Sequence, residues 1–583
     1  MSARSLSEEQ QAIVEAAIGP FSIKACAGSG KTRTAVHRLL KLRELQRDTR
    51  GHITLLSFSN VAVDAFRAEL LAQKSVNIRI DTTRITVATV DSFFVSNVIQ
   101  PHAKRTMGAG SYPFLVQGGE PFLLNDQFKY WVQPASGKVF PVTADAVHVN
   151  IAAGSFAFSH PMHGSNAVPI NNGIQATEAL GKVGAYAHET GRYWALRTLR
   201  EQPIILRALA RRYPHIIVDE AQDIGSVHAA LLDLLVTAGV QVSLIGDTAQ
   251  AIFEFAGADG SYLSSFSPTG VQQLPLTRNY RSNDRILLVA NRIANRNDSP
   301  DHVATQPWEG AYFASYANLQ ESALVDVFQT AVASGGIPNG GAVVVCRSRD
   351  LLRRLAGTDV EFGKGAVVKA ARASLLRDVH GDIPGAYKAL CAVVFALLSG
   401  YADETPVLLR KHSNKAPMRP LRILLWKFLR DSGTGLPSAS LHATNEWHPL
   451  LKDRLEVLLK SCADLLGCTV RDGLGRLVTK TNLPNKSLED AVTVPRPDSL
   501  VHETVHQVKG QSLDAVLYLA TERNVKALID GVGTELGRIG YVAVTRARHL
   551  FVLGVLDTHL ATCQQKLIDL GFAEWHPTAE PDA

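Results

Sequence analysis

Short apolar runs alternate with helical patterns along the first part of this chain, and this alternation limits its fold more than any other feature. The runs are FSIKA (21–25), ITLLSF (53–58), ITVATV (85–90), HIIVDE (215–220) and VSLIGD (242–247). Apolar strands that alternate with helices predict a parallel α/β sheet, which binds ligands at the carboxyl ends of its strands. A second α/β domain is predicted by the runs GAVVVCRS (341–348), AVLYLA (515–520) and HLFVLGVL (549–556).

Two stretches break this alternation. Residues 96–194 are rich in Gly, Pro and Asn, and residues 376–494 are largely helical with polar interruptions. We therefore predict two parallel-sheet α/β domains, each with an inserted, mainly helical subdomain. The first domain takes residues 1–95 and 195–275, its insertion residues 96–194, the second domain residues 276–375 and 495–583, and its insertion residues 376–494.

The composition narrows the class of protein. Of 583 residues, 46% are hydrophobic and 20% charged, as in globular proteins. The six cysteines form no CxxC pair, which argues against a disulfide framework and indicates a reducing compartment. The longest uncharged run, residues 389–402, is shorter than the roughly 20 residues of a membrane span, and the N-terminal residues do not resemble a targeting signal. We expect a cytoplasmic protein with no membrane partner, whose net charge of +6 is compatible with nucleic acid.

The segment KACAGSGKTRT (24–34) is similar to a phosphate-binding loop, although Ala25 stands where the strict pattern has its first Gly. In such a loop, backbone N–H groups wrap a phosphate at the N-terminus of the following helix. Lys31 adds a positive charge, and the Thr32 hydroxyl offers a ligand to Mg²⁺. The alternative is a Gly-rich turn before an ordinary helix. The predicted nucleotide contacts here are Ala25, Cys26, Ala27, Gly28, Ser29, Gly30, Lys31, Thr32 and Arg33.

Paired acids end the run HIIVDE. An Asp at a strand end, here Asp219, holds Mg²⁺, and the adjacent Glu220 orients and deprotonates the attacking water. The alternative is an acidic helix N-terminus, where carboxylates are stabilised without any ligand. The Gly-rich loop upstream favours the magnesium interpretation.

Nine motifs follow one another in the order of a known family. ACAGSGKT, VDEAQD and IGDTAQAIFEFAGA (245–258) together resemble the UvrD/Rep/PcrA group of superfamily 1 helicases. In that group the loop usually begins with Ala, so only Cys26 departs from the pattern. The resemblance continues in LSEEQ (6–10), SFSNVAVDAF (57–66), TVDSFF (89–94), LTRNYRS (276–282), TVHQVKGQSLDAV (504–516) and ELGRIGYVAVTRAR (535–548).

The resemblance implies two RecA-like motor domains that bind ATP and Mg²⁺ in the cleft between them. It implies that Gln10 reads the adenine edge, although Ser7 and Gln10 also form a capping-box pattern. It assigns base stacking to Tyr280. It also assigns contacts with the γ-phosphate or its transition state to Gln250, Arg281 and Arg546.

The same resemblance implies a DNA-dependent ATPase that moves 3′→5′ on single-stranded DNA and unwinds tailed duplexes. For Phe253 and Phe255, the alternative to base stacking is a β-strand with one face in the core. The implied nucleic-acid contacts are Phe58, Asn60, Phe253, Phe255 and His506.

The sequence departs from the family pattern at three places, all in motifs that couple the nucleotide site to DNA. Asp91 replaces a His, which removes a donor and adds a negative charge. Ala256 replaces an Arg that links nucleotide and strand. Gln511 and Ser512 replace Leu and Glu, and Asp514 is a candidate to take the place of the missing Glu. All the residues assigned to phosphate and magnesium are present, so ATP hydrolysis is better supported than efficient unwinding.

Two other functions remain open from the sequence. The chain also resembles helicase subunits of antiphage systems such as Gabija, which implies a DNA-gated ATPase that regulates a partner nuclease and unwinds little by itself. No PD-(D/E)xK-like nuclease cluster is present in the sequence. A structural or RNA-binding protein with an inactive ATPase fits least well, because the phosphate and magnesium groups are intact.

Overall fold

The computed structural model describes residues 5–576 except 77–80, 117–122, 124, 136, 163–166, 255–256, 319, 348–350, 353–354, 356–364, 380, 402–404, 406–408, 410–416, 482 and 492–499. The chain divides into two compact units. One comprises Met1–Gly118, Asp126–Arg347 and Glu503–Ala583, and the other comprises Gly119–Asn125 and Ser348–His502. Among the described helices, none has the length and apolar character needed to cross a membrane.

The first sheet has six parallel strands. Its two strands at Ile53–Ser57 and His215–Val218 are buried along their whole length, as expected when helices cover both faces of a parallel sheet. In the register of the sheet, Ile23 lies between Ile245 and Leu274. The spatial order is Gln272–Leu276, Phe21–Ala25, Gln241–Gly246, His215–Val218, Ile53–Ser57 and Ile85–Thr89.

Helices pack on this sheet through apolar side chains. Val36 and Leu39 on one helix and Phe66 on another meet Ile23 and Leu55 of the strands in one buried cluster. The helices of this part are Glu8–Glu15, Lys31–Leu45, Asn60–Val76, Pro203–Arg212, Ser226–Thr237 and Ser261–Ser265, with 3₁₀ turns at Ala221–Asp223 and Thr248–Gln250.

The first insertion mixes helices with short strands. The helix Val90–Phe94 leads into it, and a π-helical turn at Val95–Ile99 and the helix Gln100–Thr106 follow. Its other helices are Gly173–Lys182 and His188–Glu201, with 3₁₀ turns at Asp126–Phe128 and Ala144–Ala146. Antiparallel pairing joins Tyr130–Val132 to Phe140–Val142, and His148–Ala152 to Ser155–His160 and Val168–Pro169; Phe114–Leu115 pairs in parallel with Ala185–Tyr186. The insertion thus adds strands to the helices expected from its sequence.

The second sheet repeats the design. Its spatial order is Val501–Thr504, Ala342–Cys346, Leu513–Leu519, Ala547–Leu556, Gly310–Tyr316 and Ala573–Glu574. Its helices are Asp284–Ala294, Glu321–Ser334, Glu522–Ile529, Glu535–Val544 and Asp557–Asp569, with a 3₁₀ turn at Asn339–Gly341. A two-stranded ribbon, Arg278–Asn283 with Ser299–His302, directly follows the last strand of the first sheet. The chain is therefore a mixed α/β protein with two parallel-sheet cores, as predicted.

The other compact unit is mainly helical. Its longer helices are Ala366–Asp378, Ile383–Leu397, Met418–Arg430 and His448–Leu466, and its shorter elements are Ala443–Trp447, Leu474–Leu477, Leu488–Ala491 and the strand pair Leu398–Ser399 with Thr469–Val470. Trp447 is fully buried among them, and its indole N–H donates to the Ser374 hydroxyl at 3.1 Å. Burying the ring while satisfying its N–H fixes how these helices pack.

Candidate nucleotide site

The Gly-rich loop joins the first strand to the helix that begins at Lys31. Gly28 and Gly30 have φ of 69° and 76°, a left-handed conformation that favours glycine. The Ser29 hydroxyl donates to the Cys26 carbonyl at 2.9 Å, which tightens the turn. The loop backbone is thus shaped to point N–H groups outward at a helix N-terminus, which is the geometry that binds phosphate.

The loop residues differ in exposure. Burial, together with the charges of Asp298 and Asp247, raises the pKa of the Cys26 thiol well above its usual range, so the thiol stays neutral beneath the loop. Ala25, Cys26, Ala27, Ser29 and Lys31 are buried, whereas Gly28, Gly30, Thr32 and Arg33 are partly exposed.

The loop is held by the ribbon of the second half. Asn279 donates from its side-chain amide to the Ala27 carbonyl at 2.7 Å, and the Tyr280 N–H donates to the Gly28 carbonyl at 2.9 Å. A Cβ placed on Gly28 would lie 2.7 Å from the Cβ of Arg281. The two halves of the chain therefore approach closely at the loop, and the absence of a side chain at Gly28 makes this approach possible.

Gln10 forms the capping box that its spacing predicts. The Ser7 hydroxyl accepts from the Gln10 N–H at 3.3 Å, and the Gln10 side-chain oxygen accepts from the Ser7 N–H at 3.1 Å. The same Gln10 amide also donates to the Ser29 carbonyl at 3.2 Å. Gln10 therefore links the first helix to the Gly-rich loop while it caps that helix.

The acidic pair lies at the carboxyl end of the strand His215–Val218. Glu220 has φ of 52°, a strained conformation for a non-glycine residue, and its carboxylate accepts from the Gln222 side-chain amide at 2.5 Å. Burial and the adjacent Glu220 raise the pKa of Asp219. Burial also acts on Glu220, but Lys31 and Lys509 outweigh it and lower the pKa of that carboxyl. The charges of Lys31 and Lys509 thus favour the ionised form of Glu220.

A chain of hydrogen bonds leads from the first sheet to the second. Gln250 donates from its side-chain amide to Asp247 at 2.7 Å, and its oxygen accepts from Arg546 at 2.9 Å. Arg296 donates to the other Asp247 oxygen at 2.7 Å. Gln250 therefore couples a buried carboxylate of one sheet to a buried guanidinium of the other.

Two guanidinium groups of the second half lie side by side. Arg281 donates to the Thr545 carbonyl at 2.9 Å, its Nε has no partner among the described residues, and Arg546 donates to the Gln511 and Val542 carbonyls. Burial lowers the pKa of both, and Arg546 further lowers the pKa of Arg281. Neither forms an ion pair with an acid in the described part of the chain. An anion at this position would relieve their mutual repulsion.

Tyr280 lies beside the loop, with its ring edge close to Gly30. The Arg278 guanidinium lies 5.7 Å from the centroid of this ring, a distance typical of a cation–π contact. The Tyr280 hydroxyl is buried and has no partner among the described residues.

Comparison with known proteins agrees with this geometry. Residues 6–129 and 186–269 match the UvrD/REP helicase N-terminal domain, interrupted within the first insertion. The matched part of the chain is thus similar to the N-terminal domain of UvrD-like superfamily 1 helicases. It is 24% identical over 301 residues to DNA helicase II of Haemophilus influenzae, which covers 50% of this chain and 41% of that protein. It is also 24% identical over 304 residues to DNA helicase II of Escherichia coli, covering 50% and 41%.

A third relative is the ATP-dependent DNA helicase PcrA of Leuconostoc citreum, 23% identical over 342 residues, which are 53% of this chain and 42% of that protein. The chain thus aligns with about two fifths of the length of the curated relatives it matches.

The residues that the UvrD-like motifs assign to DNA lie in two places. Phe58 packs edge-to-face on His228 at 5.4 Å, and Asn60 is exposed at the start of its helix. Phe253 packs against the core of the second sheet, with its ring centroid 5.8 Å from that of His506 and 4.7 Å from the Lys509 ammonium. Core packing, the alternative interpretation for Phe253, is therefore present. Phe255 and Ala256 lie outside the described residues.

The charge of Asp91 is balanced by neighbouring side chains. Arg192 donates to both of its oxygens at 2.9 and 2.8 Å, and His228 contacts it at 2.9 Å. Although burial acts against ionisation, these partners hold the pKa of Asp91 well below its usual range. The negative charge expected from Asp91 is therefore present but balanced by Arg192 and His228, which come from distant parts of the sequence.

The replacement of Leu-Glu by Gln511-Ser512 has a local explanation. Asp514, the candidate replacement for the missing Glu, is ion-paired with Arg548 at 3.1 Å. The Gln511 side chain donates to Glu503 and to the Gln507 carbonyl, and its own carbonyl accepts from Arg546. The backbone at Gln511 thus helps to position Arg546.

Three contacts were not anticipated from the sequence. Gln222 orders Glu220 and also accepts from the Asp247 N–H at 3.0 Å. Lys509 forms an ion pair with Asp223, at 2.7 Å from both oxygens, between the two sheets. Gln222 stands two residues after Glu220, so its position in VDEAQD was the available signal. The pairing of Lys509 with Asp223 joins residues 286 apart and carries no local signal.

Proposed function

We propose that this chain is an ATP-dependent DNA translocase of the UvrD type, which moves 3′→5′ on single-stranded DNA and unwinds tailed duplexes. The observation that carries the proposal is the pair formed by the partly buried Arg281 and the buried Arg546, which lie beside the Gly-rich loop and form no ion pair with an acid among the described residues. A triphosphate on that loop supplies the missing negative charge. Because the cations and the loop belong to different halves of the chain, ATP binding draws the halves together and hydrolysis releases them.

ATP is the substrate in this proposal. The loop N–H groups and Lys31 bind its phosphates, and the Tyr280 ring stacks on the base. Each polar atom of the Gln10 amide keeps one hydrogen-bonding position for the adenine edge. Glu220, held ionised by Lys31 and Lys509, accepts the proton of the attacking water. Gln250, Arg281 and Arg546 stabilise the charge that develops on the transferred phosphoryl group.

Magnesium fits the residues present. The Oδ1 atom of Asp219 is buried without a partner among the described residues, as expected of an oxygen that coordinates a cation. Asp219 and the Thr32 hydroxyl would hold Mg²⁺, which when bound neutralises charge on the phosphate oxygens.

In this proposal the single-stranded DNA lies against Phe58, Asn60, Phe253 and Phe255, and His506 lies close to the nucleotide. Lys509 supports this assignment because it contacts both the Phe253 ring and the acid Asp223, three residues from Glu220. Through Lys509, DNA binding at Phe253 is connected to the site of ATP hydrolysis.

The test measures ATP turnover with and without single-stranded DNA, and then the unwinding of 3′-tailed and 5′-tailed duplexes. We expect stimulation by DNA and a preference for the 3′ tail; a preference for the 5′ tail would refute the polarity. Glu220→Gln should keep ATP binding and lower turnover at least about 1000-fold. Glu44→Gln, on an exposed helix position, is the matched control and should leave turnover unchanged.

A regulatory subunit of a nuclease complex is the second candidate. The observation that favours it is that Asp91 is hydrogen-bonded by Arg192 and His228. The His that the family has at this position, a donor to DNA, is therefore replaced by an acid that already has its partners. DNA-stimulated hydrolysis without unwinding, together with a nuclease that co-purifies under native conditions, would support this candidate over the first. A role in antiphage defence stays a prediction.

A further inference from the structure

A groove of about 1180 Å³ lies between two helices of the mainly helical unit, Met418–Arg430 and His448–Leu466. Its floor includes Leu424 and Leu458. Ile423 and Val457, one from each helix, line the groove and are 49% and 66% exposed. Exposed branched apolar side chains from both helices thus lie in one groove, which makes the groove a candidate interaction surface.

The groove runs along the helices. On the first helix Arg419, Ile423 and Lys427 follow one another at four-residue spacing, which places them in one row. On the second helix Asp453, Val457 and Ser461 form the matching row. The lining extends from Arg419 to Arg430, about 16 Å at about 1.5 Å per residue. A helix of about three turns has this length.

The rim is positively charged. Five basic residues line the groove, Arg419, Arg422, Lys427, Arg430 and Arg454, against two acids, Asp431 and Asp453. The Asp431 carboxylate accepts from the N–H groups of Gly433 and Thr434, so it is already used by the turn after the helix. Arg454 holds the same turn through the carbonyls of Ser432 and Gly435. The three positive side chains at positions 419, 427 and 430 are exposed.

We propose that this groove binds an acidic amphipathic helix of a partner protein, about three turns long. Such a helix covers Ile423 and Val457 with its apolar face and presents its carboxylates to the rim. A nucleic-acid backbone would match the charge but offers no apolar surface to the floor. The proposal is independent of the ATPase, whose residues all lie in the other compact unit.

The test uses fluorescence anisotropy with the full chain and a labelled 14-residue peptide. The peptide carries Leu at positions 3, 7 and 10 and is otherwise Glu and Ala, and a second peptide has the same composition with the Leu spacing scrambled. We expect saturable binding of the first peptide only, weakened by salt because charge contributes. Absence of binding, or equal binding of the scrambled peptide, would overturn the proposal.

Variants locate the peptide. Val457→Glu and Lys427→Glu should each lower the affinity about tenfold or more, while Leu465→Glu and Lys452→Glu, exposed on the same second helix outside the groove lining, should change it less than twofold. ATP turnover should be the same in all four. Equal losses in the control variants would refute the assignment to the groove. Displacement of the peptide by duplex DNA, with Val457→Glu weakening duplex binding, would make the groove a nucleic-acid surface instead.

Discussion

The close approach of the ribbon to the Gly-rich loop can be tested by adding one methyl group. Gly28→Ala places a Cβ 2.7 Å from the Arg281 Cβ and 3.2 Å from two atoms of the Asn279 side chain. Carbon atoms in good contact are about 3.7 Å apart, so the ribbon must move by about 1 Å. A displacement of about 1 Å at reacting groups lowers turnover about 100-fold.

Gly108→Ala is the matched control. Gly108 has φ of 66°, close to the 69° of Gly28, and no described atom lies within 4 Å of a Cβ built there. Both variants therefore incur the same left-handed cost, about 1–2 kcal/mol, but only Gly28→Ala displaces Arg281.

The assay is steady-state ATP turnover in the presence of single-stranded DNA, with folding checked by circular dichroism. We expect a fall in kcat of about 100-fold for Gly28→Ala and less than twofold for Gly108→Ala. A folded Gly28→Ala protein with kcat within threefold of the parent would refute the role of this approach in arranging Arg281. Equal losses in both variants would attribute the effect to backbone strain.

Three further predictions follow from single contacts. Gln250→Ala breaks the link to Arg546 and should lower kcat about 10-fold to 100-fold with little change in the KM for ATP; a change in KM alone would contradict this. Asp91→Ala leaves Arg192 without its carboxylate and should cost about 1–3 kcal/mol, since the pair is only partly buried. An unchanged urea midpoint would argue against it. Burial raises the pKa of Asp298 to about 6 from 3.8, so the folded protein binds this proton more tightly and loses stability as pH rises from about 4 to 6. Asp298→Asn should therefore raise the thermal midpoint at pH 7 but not at pH 4, and an equal shift at both would contradict the assignment.

The α/β architecture could be predicted because the buried strands of a parallel sheet have continuous apolar sequences. FSIKA and HIIV correspond to the strands Phe21–Ala25 and His215–Val218. The edge strand Gln272–Leu276 escaped prediction because one side of it is exposed, so its sequence, QQLPL, mixes polar and apolar residues and contains Pro275. Gly310–Tyr316 was missed as well, although most of it is buried.

From local sequence pattern alone the candidate site was predictable only where its residues are neighbours in sequence, and Gln10, Gln250, Arg281 and Arg546 were assigned to it through the family resemblance. The loop and the acidic pair are contiguous, and the structure brings them together with Arg281 and Arg546. The partners that set their chemistry come from far away. Arg192 is 101 residues from Asp91, and Lys509 is 286 residues from Asp223, so no local pattern reveals that these charges are paired.

A single residue, Thr277, separates the last strand of the first sheet from the ribbon that grips the Gly-rich loop. The Glu9 carboxylate accepts from both the N–H and the hydroxyl of Thr277, at 2.9 and 2.5 Å. Thr277 is thus a one-residue connection between the first sheet and the ribbon, and its backbone and side chain are both held by Glu9. A rotation of the second sheet about this point would therefore be transmitted through the ribbon to the Gly-rich loop, because Asn279 and Tyr280 of the ribbon donate to the loop carbonyls of Ala27 and Gly28.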